Sequence, residues 1–318
     1  MPMCSHATGG LRVAVIGEPT SWHVGRLLEA ATARGHRGTV VRWAELAAEL
    51  QTSPASGQAT GSGGLATERF LPAAIDTADV VVVRGMPGGS LEEVIFRMDL
   101  LGRLAARGTP VVNSPRGLEI AIDKYLSLAR MAAAGLPVPR TIVVQDPAVI
   151  RSAWRALGGD CLAKPLFGSR GRGIVRVTDE QTLAPLLETA AAGSNFGGVA
   201  YLQEFLPHDG WDARILLVGA DAFSIRRFAA KGEWRTNISL GGRPEAFNAP
   251  DAWIEIARAA AQTVQAEIAG VDLLPGKDGR VVVLEVNAVP AWRGLETATG
   301  IRVAETVIRH LESRSNNA

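Results

Sequence analysis

Cysteine is nearly absent: 318 residues contain two, Cys4 and Cys161. Two thiols build neither a disulfide framework nor a Cys/His metal cluster, and a reducing compartment is the simplest setting for them. Charge of one sign is missing as well. Lys and Arg total 33 against 32 Asp and Glu, a net charge of +1, and arginine-rich loops alternate with acidic helices instead of forming a basic face. Nucleic acid is therefore not the expected partner. No apolar run reaches the roughly 20 residues that span a bilayer. The opening Met-Pro-Met-Cys-Ser-His lacks the basic and apolar segments of a leader. These absences predict a cytoplasmic protein with no membrane partner.

What is present fits an α/β enzyme of two or three domains, since 47% hydrophobic residues suffice for their cores. Arg12 to Gly17 reads as a strand, the stretch to Arg34 as a helix, and Thr39 to Trp43 as the next strand. Ala78 to Arg84 is a buried-type strand, Leu91 to Arg107 a helix and Pro110 to Asn113 a strand, so a parallel sheet is expected. Gln51 to Gly64 is low in complexity and reads as a flexible surface loop. The polar stretch from Glu312 to Ala318 reads as a disordered tail.

Two apolar strand-like runs near the C-terminus carry polar side chains, Asp272 in one and Glu285 and Asn287 in the other. A carboxylate in a buried strand costs several kcal/mol unless a counter-charge or metal compensates it. Glu285 and Asn287, two apart, share a strand face. The turn at Pro275-Gly-Lys-Asp-Gly279 predicts a hairpin, and pairing Leu274 with Val281 or Val283 puts Asp272 on that face too. Three oxygen donors then converge, a set that suits Mg²⁺ or Mn²⁺. The alternative is that these are edge carboxylates facing water. Lys164 precedes a glycine-rich loop, Gly168-Ser169-Arg170-Gly171-Arg172-Gly173, whose backbone amides, arginines and hydroxyl could cradle phosphate. The following Ile174 to Val177 is strand-like, which excludes a P-loop or a Rossmann turn, and the loop alone could equally be an ordinary hairpin. Lys124 falls in Ile120 to Leu128, an amphipathic helical stretch on which lysine is ordinarily a solvated charge. Glu204, Asp212 and Arg214 could by themselves be a surface ion-pair group.

In order, Asp123-Lys124, Ala163-Lys164-Pro with the glycine loop, Tyr201-Leu-Gln203-Glu204-Phe205-Leu206, Asp212-Ala-Arg214, Arg235-Thr-Asn237 with Gly241-Gly242, Asp272, and Glu285-Val-Asn287-Ala-Val-Pro290 resemble the ATP-grasp superfamily. The likeness is greatest to its RimK-like branch of carboxylate–amine ligases, which attach amino acids, often glutamate, and it runs from about Asn113 to Ala304. The resemblance implies an N-terminal parallel-sheet domain (1–113), a central lobe with the glycine loop (114–199) and a C-terminal lobe with the metal site (200–318), the two lobes clamping ATP. It implies that Lys124 and Lys164 hold the α- and β-phosphates and that Gly168, Ser169, Arg170, Gly171 and Gly173 close over the nucleotide. Gln203, Glu204, Phe205 and Leu206 become the hinge that reads adenine, mostly through the main chain, and Asp212 lies near the ribose. Asp272, Glu285 and Asn287 bind two Mg²⁺ or Mn²⁺ ions, while Arg214, Arg235 and Asn237 contact the γ-phosphate and the acyl phosphate.

The implied reaction activates a carboxylate as an acyl phosphate, which an amine displaces. Gly270 stands where D-alanine ligases carry arginine, as it does in RimK-like members, which weakens a D-alanine ligase reading. Departures from RimK itself fall where the acceptor should bind: Arg226-Arg227-Phe and Ser239-Leu240-Gly241-Gly242 replace its Glu-Arg-Arg and His-Arg-Gly-Gly, and Trp292-Arg293 follows the last motif. The expected activity is addition of L-glutamate to a small-molecule carboxylate, a pterin- or furan-type C1 carrier, by a homodimer or homotetramer. Alternatives are an amino-acid ligase acting on a peptide or carrier protein, and a regulatory protein that binds ATP without turnover.

Overall fold

The computed structural model describes residues 10–52, 66–168, 171–191 and 198–315. The chain divides into two compact units, Met1–Pro115 with Arg302–Ala318, and Arg116–Ile301. In the first unit the order is β1 (Arg12–Ile16), α1 (Trp22–Ala33), β2 (Arg37–Val41), β3 (Ala47–Thr52), β4 (Ala66–Leu71), α2 (Ala73–Asp76), β5 (Val80–Val83), α3 (Leu91–Ala106) and β6 (Val111–Val112). Strands β2-β1-β5-β6 form a parallel sheet in that order. Its central strands are nearly continuous buried aliphatic runs, Val13 to Ile16 and Val80 to Val83, as a sheet covered on both faces requires. Helix α3 opens with a capping box: Glu93 N–H donates to Ser90 Oγ (3.3 Å) and Ser90 N–H to Glu93 Oε2 (2.8 Å).

The second strand starts earlier than its valines suggest, at Arg37, and ends at Val41, because Trp43 begins a 3₁₀ turn. Gln51 and Thr52, assigned to the low-complexity loop from sequence, end β3, which pairs with β4 as an antiparallel hairpin; residues 53–65 lie outside the described set. The expected tail is corrected more strongly over Glu312 to Ser315, while residues 316–318 lie outside the described set. The C-terminal helix runs from Val303 to Ser315, so Glu312 is ordered, accepting from Arg34 Nε (2.8 Å) and Nη2 (2.7 Å) and meeting His36 Nε2 at 2.7 Å. This helix packs on α1 and buries Val303, Val307, Ile308 and Leu311.

The second unit continues with α4 (Pro115–Ile122), α5 (Lys124–Ala133), β7 (Thr141–Val144), α6 (Ile150–Ala156), β8 (Cys161–Lys164), β9 (Val175–Val177), α7 (Glu180–Ala191) and β10 (Ala200–Glu204). Then come β11 (Trp211–Val218), β12 (Asp221–Phe228), β13 (Arg243–Ala246), α8 (Asp251–Thr263), β14 (Ile268–Pro275), β15 (Val281–Asn287) and α9 (Arg293–Thr299). Two antiparallel sheets result, β7-β10-β8-β9 and β13-β12-β11-β14-β15. Beneath the first, Ile150, Trp154, Cys161, Leu183 and Leu202 share one core. Burial pushes the Cys161 thiol up to about 11, which leaves it an inert core side chain. In the second, alternation sends Ala213, Ile215 and Leu217 toward α8 and Asp212 and Arg214 to the opposite face.

Candidate functional site

The strand carboxylates meet through an irregularity. Pairing starts from the turn with Pro275 opposite Val281 and Leu274 opposite Val282, a register that would put Asp272 opposite Leu284. A bulge between Asp272 and Leu273 shifts the ladder by one residue, and Asp272 then faces Glu285 directly, with Gly270 opposite Asn287. Because side chains alternate with a period of two, that single shift decides whether the two carboxylates share a face. Asn287 Nδ2 donates to Glu285 Oε1 at 2.9 Å.

Asp272 is buried, and its charge is matched by arginine. Arg214, its partner across the strand pair, donates from Nε and from Nη2 (2.7 Å to Oδ2). Arg227 Nη2 lies 2.9 Å from the same oxygen and also donates to Asp212 Oδ2 at 2.5 Å, while its Nε donates to Asp212 Oδ1 at 2.8 Å. Burial works to raise Asp272, but the two guanidiniums outweigh it and hold the carboxyl below its ordinary range. The group read as a surface ion-pair set is thus split: Asp212 and Arg214 belong to a buried quartet, while Glu204 accepts from Arg140 N at 2.8 Å and pairs with the exposed Arg280, Nη1 at 3.4 Å. Arg227 was visible in the sequence only as a departure from the family pattern. The signal for its role was the two-residue turn Gly219-Ala220, which sets Val218 opposite Asp221 and therefore Asp212 opposite Arg227.

Both lysines line the cavity that Glu285 and Asp272 also line. Lys124 does not sit on one continuous helix. Asp123 accepts from the backbone of Tyr125 (2.8 Å) and Leu126 (3.0 Å), ending α4 and capping α5, so Lys124 is the first residue of a new helix. Its ammonium donates to Gly168 O (2.8 Å) and Leu166 O (3.3 Å). Lys164, in β8, donates to Gln203 Oε1 at 2.5 Å. Burial lowers both lysines, Lys164 to about 8, against the opposing attraction of Glu285.

Gly168 and Gly171 line the cavity, Gly173 does not, and Ser169 and Arg170 lie outside the described residues. Gly171 requires glycine twice over: its φ is +71°, and a Cβ there would lie 2.5 Å from Asn237 Oδ1. Asn237 and Arg235 line the same space. Arg235 Nη1 reaches Gly171 O at 3.4 Å, while Glu233 accepts from Arg235 Nε (3.0 Å) and Nη2 (2.6 Å). The Arg235 guanidinium, together with the backbone amides of Arg235 and Trp234, holds Glu233 down to about 2. Glu233 and the cavity-lining Trp234 were not among the sequence candidates; their adjacency to Arg235 was the available signal.

At the other end stand Gln203, Glu204, Phe205 and Leu206, all lining the cavity among apolar Leu162, Ile174, Leu274 and Leu284. The Gln203 side chain faces inward, accepting from Lys164 and donating from Nε2 to Thr141 Oγ1 (3.0 Å) and Tyr201 Oη (3.3 Å). Asp212, Arg214 and Asn287 stand behind the lining. The lining therefore joins an apolar set to a cationic one, with the carboxylates of Asp272 and Glu285 on the wall, the division that a nucleoside polyphosphate presents.

This fold and site define an ATP-grasp ligase, an enzyme that joins a carboxylate to an amine with ATP as the driving reactant. More narrowly, the chain belongs to the RimK-like ATP-grasp family, whose domain matches residues 121–311. It is 32% identical to a tetrahydromethanopterin:alpha-L-glutamate ligase of Methanosarcina acetivorans, covering 94% of this chain and 97% of that one. It is 34% identical to a probable alpha-L-glutamate ligase of Mannheimia succiniciproducens over 68% of this chain and 71% of the relative. Among solved structures, the ATP-grasp ligase PsnB, complexed with a phosphomimetic variant of its minimal precursor, Mg and ADP, superposes with a TM-score of 0.73 at 25% identity over 97% of this chain and 100% of PsnB. Among the described residues no helix is long and apolar enough to cross a membrane.

Proposed function

We propose that the protein adds L-glutamate, through its amine, to the carboxylate of a small-molecule acceptor of the pterin type, by way of an acyl phosphate. The observation that carries the chemistry is the pair of largely buried lysines facing Glu285 across one cavity. Neither ammonium is fully neutralised by the protein, so each gains most when phosphate oxygens enter. The end-to-end similarity to the Methanosarcina enzyme supports glutamate and a pterin acceptor.

The donor set fits a divalent cation. Glu285 faces the cavity, Asp272 is ionised opposite it, and the Asn287 amide turns its nitrogen to Glu285 and so keeps its carbonyl oxygen as a further ligand. Among the described residues no group of three or more His, Cys, Asp or Glu could hold a metal, so the proposed site combines two carboxylates with an amide. Asp272, Glu285 and Asn287 would hold Mg²⁺ or Mn²⁺, as two ions in the arrangement the family resemblance implies. A divalent ion held by these residues would offset the charge that spreads over the phosphoryl oxygens during transfer. Lys124 and Lys164 bind the nucleotide phosphates, Arg235 and Asn237 face the transferred group, and the main chain of Gln203 to Leu206 meets adenine. Arg214 and Arg227 keep Asp272 ionised and oriented, which places Arg214 one step behind the reacting atoms.

The test is phosphate release from ATP and Mg²⁺ with L-glutamate over a panel of carboxylate acceptors, a reduced pterin with a carboxylated side chain and a peptide among them. Acceptor-dependent release is expected with the pterin, falling by at least about 100-fold in Lys164→Ala and Glu285→Ala. Release driven only by the peptide would replace the small-molecule acceptor, a reading favoured by the precursor bound to PsnB. ATP binding without turnover across the panel, unchanged by Glu285→Ala, would overturn the catalytic reading.

A further inference from the structure

Phe205 follows β10 at the apolar end of the cavity, and its ring is held from three directions. The Arg176 guanidinium lies over the ring with Cζ 3.5 Å from the centroid, Trp234 meets it edge-on at 5.8 Å, and His208 is tilted against it at 6.0 Å. Arg176 belongs to β9, the strand that leaves the glycine loop. Its Nε and Nη2 donate to Asp160 Oδ1 (2.9 Å) and Oδ2 (2.6 Å), a planar fork that fixes the plane of the guanidinium. Asp160, just before β8, closes the triangle by accepting from Phe205 N–H through its own carbonyl at 3.3 Å.

An ion pair exposed to this degree, 34% for Arg176 and 41% for Asp160, adds little to stability. What it does supply is orientation. A flat, doubly anchored guanidinium leaves the facing ring one stacking arrangement, and the ring carries its backbone with it. Both strands that flank the glycine loop are thereby tied to the segment that faces the base.

We propose that Arg176 is a specificity-determining positioning residue: held flat by Asp160, it fixes Phe205 and with it the main chain that discriminates the purine base of the nucleotide. This rests on the reading of the cavity as an adenine-nucleotide site. The role belongs to the base end alone, so phosphate binding at Lys124 and Lys164 is independent of it.

Calorimetric titration of the full-length protein with AMP, Mg·ADP, Mg·CTP and inorganic tripolyphosphate separates the possibilities. Arg176→Met is expected to weaken AMP and Mg·ADP by the same factor, about five- to tenfold, and to narrow the preference over Mg·CTP. Tripolyphosphate affinity should stay within about twofold. Arg176→Lys, which keeps the charge but loses the fork, is expected to fall between wild type and Arg176→Met. AMP affinity unchanged in Arg176→Met overturns the proposal; so does an equal loss of tripolyphosphate, which marks a deformed lobe. Should Arg176→Met fail to fold, Asp160→Asn is expected to weaken AMP about threefold, and unchanged AMP there is equally fatal. Wild-type protein that binds tripolyphosphate but neither AMP nor Mg·ADP removes the nucleotide reading, and this proposal with it, before any variant is needed.

Discussion

On the proposed phosphate-binding reading, Lys164 sets binding against stability in one side chain. Its ammonium is lowered to about 8 by burial, below the ordinary lysine value that it regains on unfolding. Below pH 8 both states carry the proton, and the folded state bears the whole cost of the buried charge. Between that pH and the unfolded value the unfolded chain holds a proton the folded one has shed, so stability rises with pH. Lys164→Met is therefore expected to raise the unfolding free energy at pH 7 by about 1–2 kcal/mol, less at pH 9.5, while abolishing turnover. Urea midpoints at the two pH values check the sign, and an equal gain at both would contradict it. For catalysis the ammonium is the useful form, so kcat/KM for ATP should decline above about pH 8, a limb that Lys164→Arg removes. Arg227 works the other way. Arg227→Met leaves Asp212 buried without its partner and is expected to destabilise by about 3–5 kcal/mol in urea unfolding, with partial recovery in the double variant carrying Asp212→Asn. The sequence revealed Asp272 and Glu285 because carboxylates are costly in apolar strands, and it offered the two lysines only through the ordered motifs of the family resemblance. It did not reveal Arg227, whose role depends on which strand lies opposite.

Elements decide what those residues can reach. The N-terminal strands and helices were legible because their valine runs and 3.6-residue periods are local properties, and the parallel sheet followed from their alternation. The break at Asp123 was not, since the apolar spacing from Ile120 to Leu128 continues through it and only the cap's hydrogen bonds reveal two helices. A lysine at the first position of a helix opposes the helix dipole, so Lys124 sits there against local preference. Asp123→Ala is expected to lower stability by about 1 kcal/mol. It should also raise KM for ATP several-fold by loosening Lys124; unchanged KM in a destabilised variant would show that the cap serves folding alone. The shift between Asp272 and Leu273 was equally out of reach, because a turn sequence sets the first pairs of a hairpin and not an irregularity further along the ladder.

The whole molecule is two units that are not two consecutive stretches of sequence. The polar composition from Glu312 onward hid this, since Glu312 looks like tail until Arg34 and His36 are placed beside it. Removal of residues 302–318 is expected to strip the apolar cover from α1 and leave the parallel-sheet unit unable to fold. Heteronuclear NMR of the truncated chain should then show collapsed signals for residues 10–115 and dispersed ones for 116–301; a fully dispersed spectrum would contradict the prediction. The arrangement also orders events during synthesis. A ribosome makes the parallel sheet before the whole Arg116–Ile301 unit, and the helix that covers α1 only after it. The part made first is therefore the part finished last, because α1 lacks its covering helix until Val303 to Ser315 have been made.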